Sequence, residues 1–350
     1  MRKFTIDKNK SIDQDSKSYL IAEIGHNHQG SLEQCIEMFK IAKECGANAV
    51  KIQKRDNKNL YTNNFYNSPY NSPNSYGKSY GEHRDFLEFG KDEYEELIKV
   101  SKELNIDFFS TAFDEHSLSF LINIGIKMIK VASADIKNLY LLEKIAESKI
   151  PFIISTGGSD MNDVRDAVEF LLKFHDNFAI LQCTSGYPAE FNELNLNCIK
   201  TYMEDFPNQI IGLSSHDNGI AMPIVAYTLG ARIIEKHFTL NRTLKGTDHA
   251  FSLEPAGLRK LSRDLERTQI ALGDGIKKVY ESEKEPIKKM AKMIVSRTKI
   301  KKGDKISLEN ITFKSPCIGV DAKDYKKIIG KNILVDLDSD EPISFDMFKF

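Results

Sequence analysis

The chain has 350 residues, of which 41% are hydrophobic and 28% are charged, and its formal net charge is −1. This length suits one large domain plus a small one, and the near-neutral charge excludes the strong basic field that nucleic-acid or anionic-membrane binding requires. No apolar run approaches the roughly 20 residues of a membrane-spanning helix, and residues 1–18 lack a signal peptide's apolar stretch, so we expect a cytoplasmic protein. Five scattered cysteines without a CxxC pair are expected to be reduced thiols.

Short apolar, β-branched runs alternate with helix-length segments along most of the chain. The apolar runs begin near Tyr19, Ala47, Asp107, Lys127, Pro151, Asn177, Gln209 and Arg232. The helical segments are residues 31–45, 92–104, 114–124, 139–148, 160–174, 192–206, 219–229 and 255–272. Eight strands alternating with eight helices over about 255 residues predict a (β/α)₈ TIM barrel. A doubly wound open sheet is the alternative, but the turn after its first strand, EIGHNHQG, has too few glycines for a dinucleotide site.

Polar side chains collect at the C-terminal ends of the predicted strands, where barrel enzymes carry their chemistry. In chain order these are Glu23; Lys51 and Gln53; Thr111; Lys130 and Ser133; Ser155 and Thr156; Thr184 and Ser185; Ser214 and His216; and His237. The lysines of VKIQ and IKVAS are costly to bury within apolar runs, and strand alternation alternatively turns either one outward. If both point inward beside the serine hydroxyls, they predict a concave site for phosphate or carboxylate groups.

Two histidines end successive predicted strands. His216 follows the run IIGLSS and His237 follows ARIIEK, with an amphipathic helical segment between them. Parallel strands of a β–α–β unit lie side by side with their C-terminal ends together, so both imidazoles can converge on one metal ion. A hydrogen-bonded structural role for each histidine is the alternative.

Two predicted connections are much longer than ordinary βα loops. The first, residues 55–91, is rich in Asn, Ser, Pro and Tyr and is predicted to form a lid; its Lys78, His83 and Arg84 either touch substrate or hold this lid segment in place. The second follows the eighth strand as LNRTLKGTDHAFSLEP and carries Asp248 and His249. Asp248 is a candidate for sugar binding or proton transfer, with a turn-forming role as the alternative.

The sequence changes character past Gly275. A charged stretch, VYESEKEPIKKMAKM, precedes short strand-like runs that include the predicted turn KKGD. These runs predict a separate β-rich domain of roughly 60 residues, too small to hold the main site but able to cap a barrel mouth. We therefore divide the chain into a barrel domain, a linker and a small β-rich domain, spanning residues 1–274, 275–292 and 293–350.

Ten motifs follow one another along the chain: AEIGHNHQGS, VKIQKR, GKSYGEHRDFLEF, KVASAD, ISTGG, LQCTSGYP, IGLSSHDNGI, EKHFTL, KGTDHAFSLEP and ALGDG. With the β-rich tail, they resemble the sialic acid synthase family, phosphoenolpyruvate-condensing enzymes that make nonulosonic acids and end in an antifreeze-like (SAF) domain. The resemblance implies a transferase that condenses phosphoenolpyruvate with N-acetylmannosamine, its 6-phosphate or a related N-acylated amino sugar and releases phosphate. A legionaminic or pseudaminic acid synthase acting on a diacetamido sugar is the alternative within the family.

The resemblance also implies roles for individual residues. His216 and His237 match the family's manganese ligands, with Mg²⁺ or Co²⁺ as other candidate ions. Glu23 is expected to orient and deprotonate the water that adds to the enol, and with Asp248 and the two histidines it forms the candidate catalytic set. Phosphoenolpyruvate is expected to contact Lys51, Lys130, Ser133, Ser155, Ser185 and Ser214, and the sugar Gln53, Tyr187, Asp248, Lys78 and Arg84.

One departure from the family pattern bears on the sugar. Bacterial members that use free N-acetylmannosamine commonly carry Lys-Arg-Pro in the SAF domain, where this chain has Lys314, Ser315 and Pro316. The arginine that reaches the sugar's acyl group is absent, so either the sugar is phosphorylated and held elsewhere, for example by the lid cations Lys78 and Arg84, or its acyl pattern differs. The motif GKSYGEHR resembles the animal-type branch, which uses the 6-phosphate. The family also implies a domain-swapped homodimer, in which a SAF domain completes the partner's site.

Three functions of other classes are alternatives. A metal-dependent TIM-barrel hydrolase would also pair histidines, but it usually adds carboxylate ligands and has less use for two anion-binding lysines. A synthase of a 3-deoxy-octulosonate phosphate would share the lysines without needing the capping domain. A non-enzymatic protein that binds ice or glycans leaves the polar strand ends unexplained.

Overall fold

The computed structural model describes residues 2–350 and divides into two compact units, one ending at Gly273 and the other spanning Asp274–Phe350. The first unit begins with an antiparallel hairpin of β1 (Lys3–Asp7) and β2 (Lys10–Asp13), which the sequence analysis did not predict. The hairpin lies at the N-terminal ends of the barrel strands, where Thr5 and Asn177 exchange two hydrogen bonds of 2.8 Å. The opposite, C-terminal ends of the strands are therefore the ones available for a site.

Eight parallel strands form a closed barrel, which confirms the predicted (β/α)₈ fold. The open-sheet alternative is wrong because the last strand pairs with the first, Ile233 opposite Tyr19 through His237 opposite Glu23. The strands are β3 (Tyr19–Gly25), β4 (Ala49–Lys54), β5 (Asp107–Ala112), β6 (Ile129–Val131), β7 (Phe152–Ser155), β8 (Phe178–Cys183), β9 (Ile210–Ser215) and β10 (Ile233–His237).

Helices follow the barrel strands in turn, and three short ones occupy the lid segment. They are α1 (Leu32–Glu44), α2 (Asn57–Leu60), α3 (Asn63–Tyr66), α4 (Tyr80–Leu87), α5 (Lys91–Glu103), α6 (Glu115–Asn123), α7 (Leu139–Glu147), α8 (Met161–Leu172), α9 (Cys198–Asp205), α10 (Ala221–Thr228) and α11 (Pro255–Leu272). Side-chain caps fix several starts: the Ser31 hydroxyl accepts from the Gln34 N–H, and the Asp114 carboxylate from the Ser117 N–H.

The helix predicted over residues 192–206 is shorter in the structure. A single 3₁₀ turn covers Phe191–Glu193, and the α-helix begins only at Cys198. Asn195 lies between them with φ of 39°, a left-handed conformation that an α-helix cannot include. Asparagine tolerates this conformation better than most residues, which explains why the apolar periodicity alone placed the helix start too early.

The second unit has its own small core. Helix α12 (Glu281–Met290) occupies much of the charged stretch that we expected to be a connection. It is followed by an antiparallel pair, β11 (Met293–Ser296) and β12 (Ile311–Lys314), and a short helix α13 (Tyr325–Ile328). Two further strand-like runs, IIGKNILVD (residues 328–336) and PISFDMF (residues 342–348), contribute isolated bridges rather than strands. The KKGD turn is confirmed, because the Asp304 N–H donates to the Lys301 carbonyl at 2.9 Å and Gly303 has φ of 91°.

Within residues 2–350, no helix combines the length and the apolar character that crossing a membrane demands.

Candidate active site

A cavity of about 570 Å³ opens at the C-terminal ends of the barrel strands. Strand alternation explains its walls, because residues two apart on one strand point to the same side, as Lys51 and Gln53 do on β4. Of the predicted site residues, Lys78 lies outside the lining and is exposed to solvent. The others all line the cavity: Glu23, Lys51, Gln53, Arg84, Lys130, Ser133, Ser155, Ser185, Tyr187, Ser214, His216, His237 and Asp248.

Two lysines and two glutamates form an ion cluster at the base of the cavity, and all four side chains are buried. Lys51 Nζ lies 2.6 Å from Glu23 Oε2 and 3.6 Å from Glu235 Oε1. Lys130 Nζ lies 3.8 Å from Glu235 Oε1. Both lysines therefore point inward, as the anion-site hypothesis requires, and each is compensated by a carboxylate in the absence of substrate.

The cluster sets the protonation of its members. Burial opposes the charge of Glu235, but Lys130 and Lys51 outweigh that effect and lower its pKa to about 2. Burial raises the pKa of Glu23, and the negative charge of Glu235 adds to this, while Lys51 acts in the opposite direction. Glu235 thus stays ionised as the partner of the lysines, whereas Glu23 is the better proton acceptor of the pair.

Hydroxyl groups complete the lysine side of the cavity. Lys130 donates to Ser155 Oγ at 2.6 Å, and Lys51 donates to Thr111 Oγ1 at 3.0 Å. The hydroxyls of Ser133 and Ser185 both lie against Gly157, where an added Cβ would stand 2.8 Å from Ser133 Oγ and 2.1 Å from Ser185 Oγ. Gly157 follows β7, and because it has no side chain, the hydroxyls of Ser133 after β6 and Ser185 after β8 can approach each other there.

His216 and His237 face each other across the same cavity, with ring centroids 5.3 Å apart. His216 Nδ1 lies 2.9 Å from the Thr184 carbonyl oxygen, which can only accept, so Nδ1 carries a proton. Burial lowers the pKa of His216, but Cys183 and the Thr184 carbonyl outweigh this effect and raise it. His237 Nδ1 is buried without a hydrogen-bond partner and lies 3.8 Å from Asp248 Oδ2. Burial lowers the pKa of His237 to about 3, which keeps its ring neutral.

These two rings suit a divalent metal ion. Neutral imidazoles bind metals, and a carbonyl that accepts from the second ring nitrogen is the usual support of a metal-bound histidine. His237 Nδ1 has no hydrogen-bond partner, and a metal ion bound nearby would interact favourably with it. Among the described residues, no three or more His, Cys, Asp or Glu side chains are arranged as a ready metal cluster. The chain thus offers two protein ligands, and water or substrate oxygens would supply the rest.

The lid segment is held by stacked rings. His83 packs between Tyr70 and Tyr76, with ring centroids at 4.7 and 5.8 Å, and its Nδ1 accepts from the Tyr76 N–H at 3.1 Å. His83 does not line the cavity, so of its two proposed roles the structure supports the structural one. Its neighbour Arg84 does reach the cavity. His249, in the second long connection, is likewise buried and bonded, with Nδ1 2.7 Å from Thr239 Oγ1.

Four residues of the cavity lining with polar or ionisable side chains were missed in the sequence: Arg55, Cys183, Glu235 and Thr247. Glu235 had a signal, because it precedes His237 by two positions on one strand and must point to the same side. Arg55 lies one residue beyond the end of β4 and looked like the start of a loop. Cys183 ends β8, with its sulfur 3.9 Å from His216 Nδ1, and looked like an ordinary core thiol.

Comparison with known proteins agrees with this geometry. Residues 38–277 match the model of the NeuB family, and residues 291–349 match that of the SAF domain. The chain belongs to the NeuB family. The sequence resemblance and the predicted TIM barrel with a SAF domain are thereby confirmed.

Its relatives are synthases of several nonulosonic acids. Human N-acetylneuraminate-9-phosphate synthase is 37% identical over 326 residues, 93% of this chain and 91% of that protein. N,N'-diacetyllegionaminic acid synthase of Campylobacter jejuni is also 37% identical, over 331 residues that cover 93% of this chain and 99% of the relative. The solved structure of N-acetylneuraminic acid synthetase from Leptospira borgpetersenii is 35% identical with a TM-score of 0.71, covering 82% of this chain and 95% of that chain.

Proposed function

We propose that this protein condenses phosphoenolpyruvate with an N-acylated amino sugar, giving a nonulosonic acid and inorganic phosphate. One observation carries the proposal: a single cavity holds two inward lysines with serine hydroxyls on one side and two histidines on the other. The first group suits an anion with phosphate and carboxylate groups. The second suits a metal ion that activates a carbonyl. The names of its relatives support the same reaction class.

In this proposal phosphoenolpyruvate lies against Lys51, Lys130 and the hydroxyls of Ser133, Ser155, Ser185 and Ser214. Ser214 Oγ donates to Glu235 Oε1 at 3.2 Å, so Glu235 joins the hydroxyl set to the lysines. An arriving trianion would draw the ammonium groups from Glu235 and Glu23, exchanging one set of ion pairs for another. Burial opposes the charge of Lys51, but Glu23 and Glu235 outweigh it and raise its pKa, whereas burial lowers the pKa of Lys130 with Glu235 opposing that shift.

The sugar is proposed to lie between the histidines and the lid segment. His216 and His237 would hold a Mn²⁺ ion, or Mg²⁺ or Co²⁺, which would polarise the sugar aldehyde when bound. Tyr187 packs on His216, with ring centroids 4.3 Å apart, and would form one wall for the sugar. Asp248 and Gln53 are the proposed partners of its hydroxyl groups, since both line the cavity beside Glu23.

Glu23 is the proposed general base. C3 of phosphoenolpyruvate forms a bond to the aldehyde carbon, whose C=O π bond breaks and leaves an alkoxide. A water molecule adds to C2 as Glu23 takes one of its protons, and that proton neutralises the alkoxide. Cleavage of the C2–O bond then releases phosphate, which takes the remaining proton as the C2 hydroxyl becomes the keto group. Gln53 Nε2 donates to Glu23 Oε1 at 2.7 Å, which orients the carboxylate for this role. The raised pKa of Glu23, caused chiefly by burial, increases its strength as a base.

The direct test is an assay of phosphate release. The protein would be incubated with phosphoenolpyruvate, Mn²⁺ and a panel of N-acetylmannosamine, its 6-phosphate and a diacetamido hexose, and the keto-acid product would be identified by mass spectrometry. We expect release that depends on phosphoenolpyruvate and sugar together. Release without sugar would indicate a hydrolase, and no release with any sugar would refute the proposed function. Light scattering in the same buffer tests the proposed homodimer.

A further inference from the structure

Two arginines line the cavity on its lid side, Arg55 at the end of β4 and Arg84 on α4. Arg55 is 7% exposed, and Arg84 is only partly exposed. Within residues 2–350, no Asp or Glu oxygen lies within the 4.0 Å that defines an ion pair for either guanidinium, whereas Arg165 and Arg263 on the surface each have such a partner. Burying a guanidinium without a carboxylate partner lowers the stability of the folded protein, so the placement of these two arginines needs an explanation.

Their local partners do not neutralise them. Arg55 Nη1 lies 3.1 Å from His26 Nε2, and Arg84 Nη1 lies 3.1 Å from His26 Nδ1. A neutral imidazole has one lone pair, so it can accept from only one of the two arginines. Otherwise Arg55 donates to Gln53 Oε1 at 2.8 Å and Arg84 donates to the Tyr80 hydroxyl at 2.9 Å, and both acceptors are uncharged.

The two ends of the cavity therefore differ in charge. At the base, two lysines are matched by Glu23 and Glu235. On the lid side, Asp248 is the acid of the lining whose charge acts on Arg84, and it also faces His237 at 3.8 Å. Glu88 is the acid whose charge acts on Arg55, but it is ion-paired with Lys54 at 3.1 Å, so neither guanidinium has a carboxylate of its own.

We propose that Arg55 and Arg84 bind a phosphate group on the amino sugar, at the end remote from its aldehyde. This inference rests on the proposed function and names its substrate class: an N-acylated amino-sugar phosphate. Guanidinium groups bind phosphate through paired N–H donors, and two of them match a dianion in both charge and geometry. Asp248 Oδ2 lies 3.8 Å from His237 Nδ1 and its charge acts on Arg84, so a sugar bound at Asp248 would have one end near each site.

Phosphate binding by Arg55 and Arg84 agrees with one feature of the sequence. The SAF-domain stretch has Ser315 between Lys314 and Pro316, so this position offers no arginine to the sugar. Arg55 and Arg84 would instead bind the sugar through its phosphate, and both belong to the barrel unit.

The test compares phosphorylated and free sugar in matched variants. We would measure kcat/KM for N-acetylmannosamine 6-phosphate and for N-acetylmannosamine in the unaltered protein, Arg84→Gln, Arg55→Gln and Lys58→Gln. Lys58 is the control, because it lies three residues from Arg55 but is exposed and outside the cavity lining. We expect a preference for the phosphorylated sugar that falls on the order of 100-fold in each arginine variant and stays within about threefold in the control.

A binding measurement keeps the inference separate from turnover. N-acetylmannosaminitol 6-phosphate has no aldehyde and cannot react, so calorimetry reports its affinity whether or not the protein is a synthase. We expect tight binding that Arg84→Gln weakens on the order of 100-fold and Lys58→Gln leaves unchanged. Arg84→Lys keeps the positive charge but loses the paired N–H donors of the guanidinium, so it should retain part of the affinity. If the buried Arg55→Gln variant does not fold, the two Arg84 variants still test the inference.

Two results would overturn the inference. One is equal affinity for the alditol phosphate in the unaltered protein and Arg84→Gln. The other is a rise in the KM for phosphoenolpyruvate in the arginine variants with no change in the sugar preference, which would assign these residues to the other substrate. Failure of the proposed function looks different, because phosphate would then not be released with any sugar while binding of the alditol phosphate is unaffected.

Discussion

Gly157 offers a sharp test of the hydroxyl arrangement, because two serine hydroxyls occupy the space that a side chain at this position would fill. In Gly157→Ala the new Cβ would lie 2.1 Å from Ser185 Oγ and 2.8 Å from Ser133 Oγ, so both hydroxyls must move. Ser133 Oγ also accepts from the Gly157 N–H at 3.0 Å, which ties it to this position. A hydrogen bond to a charged group contributes about 1.5 kcal/mol or more, so two lost bonds weaken phosphoenolpyruvate binding by about 3 kcal/mol, on the order of 100-fold.

Calorimetric titration with phosphoenolpyruvate measures this loss directly. The matched control is Gly158→Ala in the same loop: Gly158 has φ of 71°, so alanine there adds backbone strain, but no atom lies within 4 Å of the added Cβ. We expect the control to lose stability while keeping its affinity for phosphoenolpyruvate within about threefold. If Gly157→Ala folds as well as the control and binds phosphoenolpyruvate as tightly as the unaltered protein, the two hydroxyls do not serve that ligand.

Three further outcomes are expected. Glu23→Gln should keep phosphoenolpyruvate affinity but lose turnover on the order of 100-fold or more, and unchanged turnover would remove Glu23 from the mechanism. Chelation should abolish activity and Mn²⁺ restore it, and His216→Ala should weaken Mn²⁺ binding in calorimetry; equal Mn²⁺ affinity in this variant would contradict the site. Burial lowers the pKa of His28 to about 3, so its share of stability is complete above the unfolded pKa near 6.5 and falls by about 2 kcal/mol at pH 5. Urea unfolding at pH 7 and pH 5 should show a smaller acid loss in His28→Asn than in the exposed His116→Asn, and equal losses would refute this account.

The regular part of the barrel was predictable because its signals are local. Alternation along a strand and the apolar face of a helix are properties of a few adjacent residues, and they located all eight barrel strands. The same alternation left open whether Lys51 and Lys130 point inward, as their burial shows that they do, and it could have found Glu235. The start of α9 was misplaced because the left-handed conformation of Asn195 is a single-residue event within an otherwise helical pattern.

Which side chains pair was not predictable from these patterns. Lys51 on β4 forms ion pairs with Glu23 on β3 and with Glu235 on β10, and these strands become neighbours only because the barrel closes. The spacing of residues in the sequence does not give distances between strands that meet in this way. The lid segment shows even more clearly that side-chain placement was not predictable from the sequence. Its lysine and its arginine looked equivalent in the sequence, yet Lys78 is exposed and Arg84 reaches the cavity, because stacking of His83 between tyrosines orients α4.

The sequence by itself determined a TIM barrel, a SAF domain and the residue types at the strand ends, since parallel strands necessarily present those ends at one face. Only the tertiary structure decided which cations are already neutralised and which are not. That difference separates the paired lysines from the arginines without carboxylates, Arg55 and Arg84. It arises because the charge state of a buried group is set by neighbours from distant parts of the chain, brought within a few ångströms by folding.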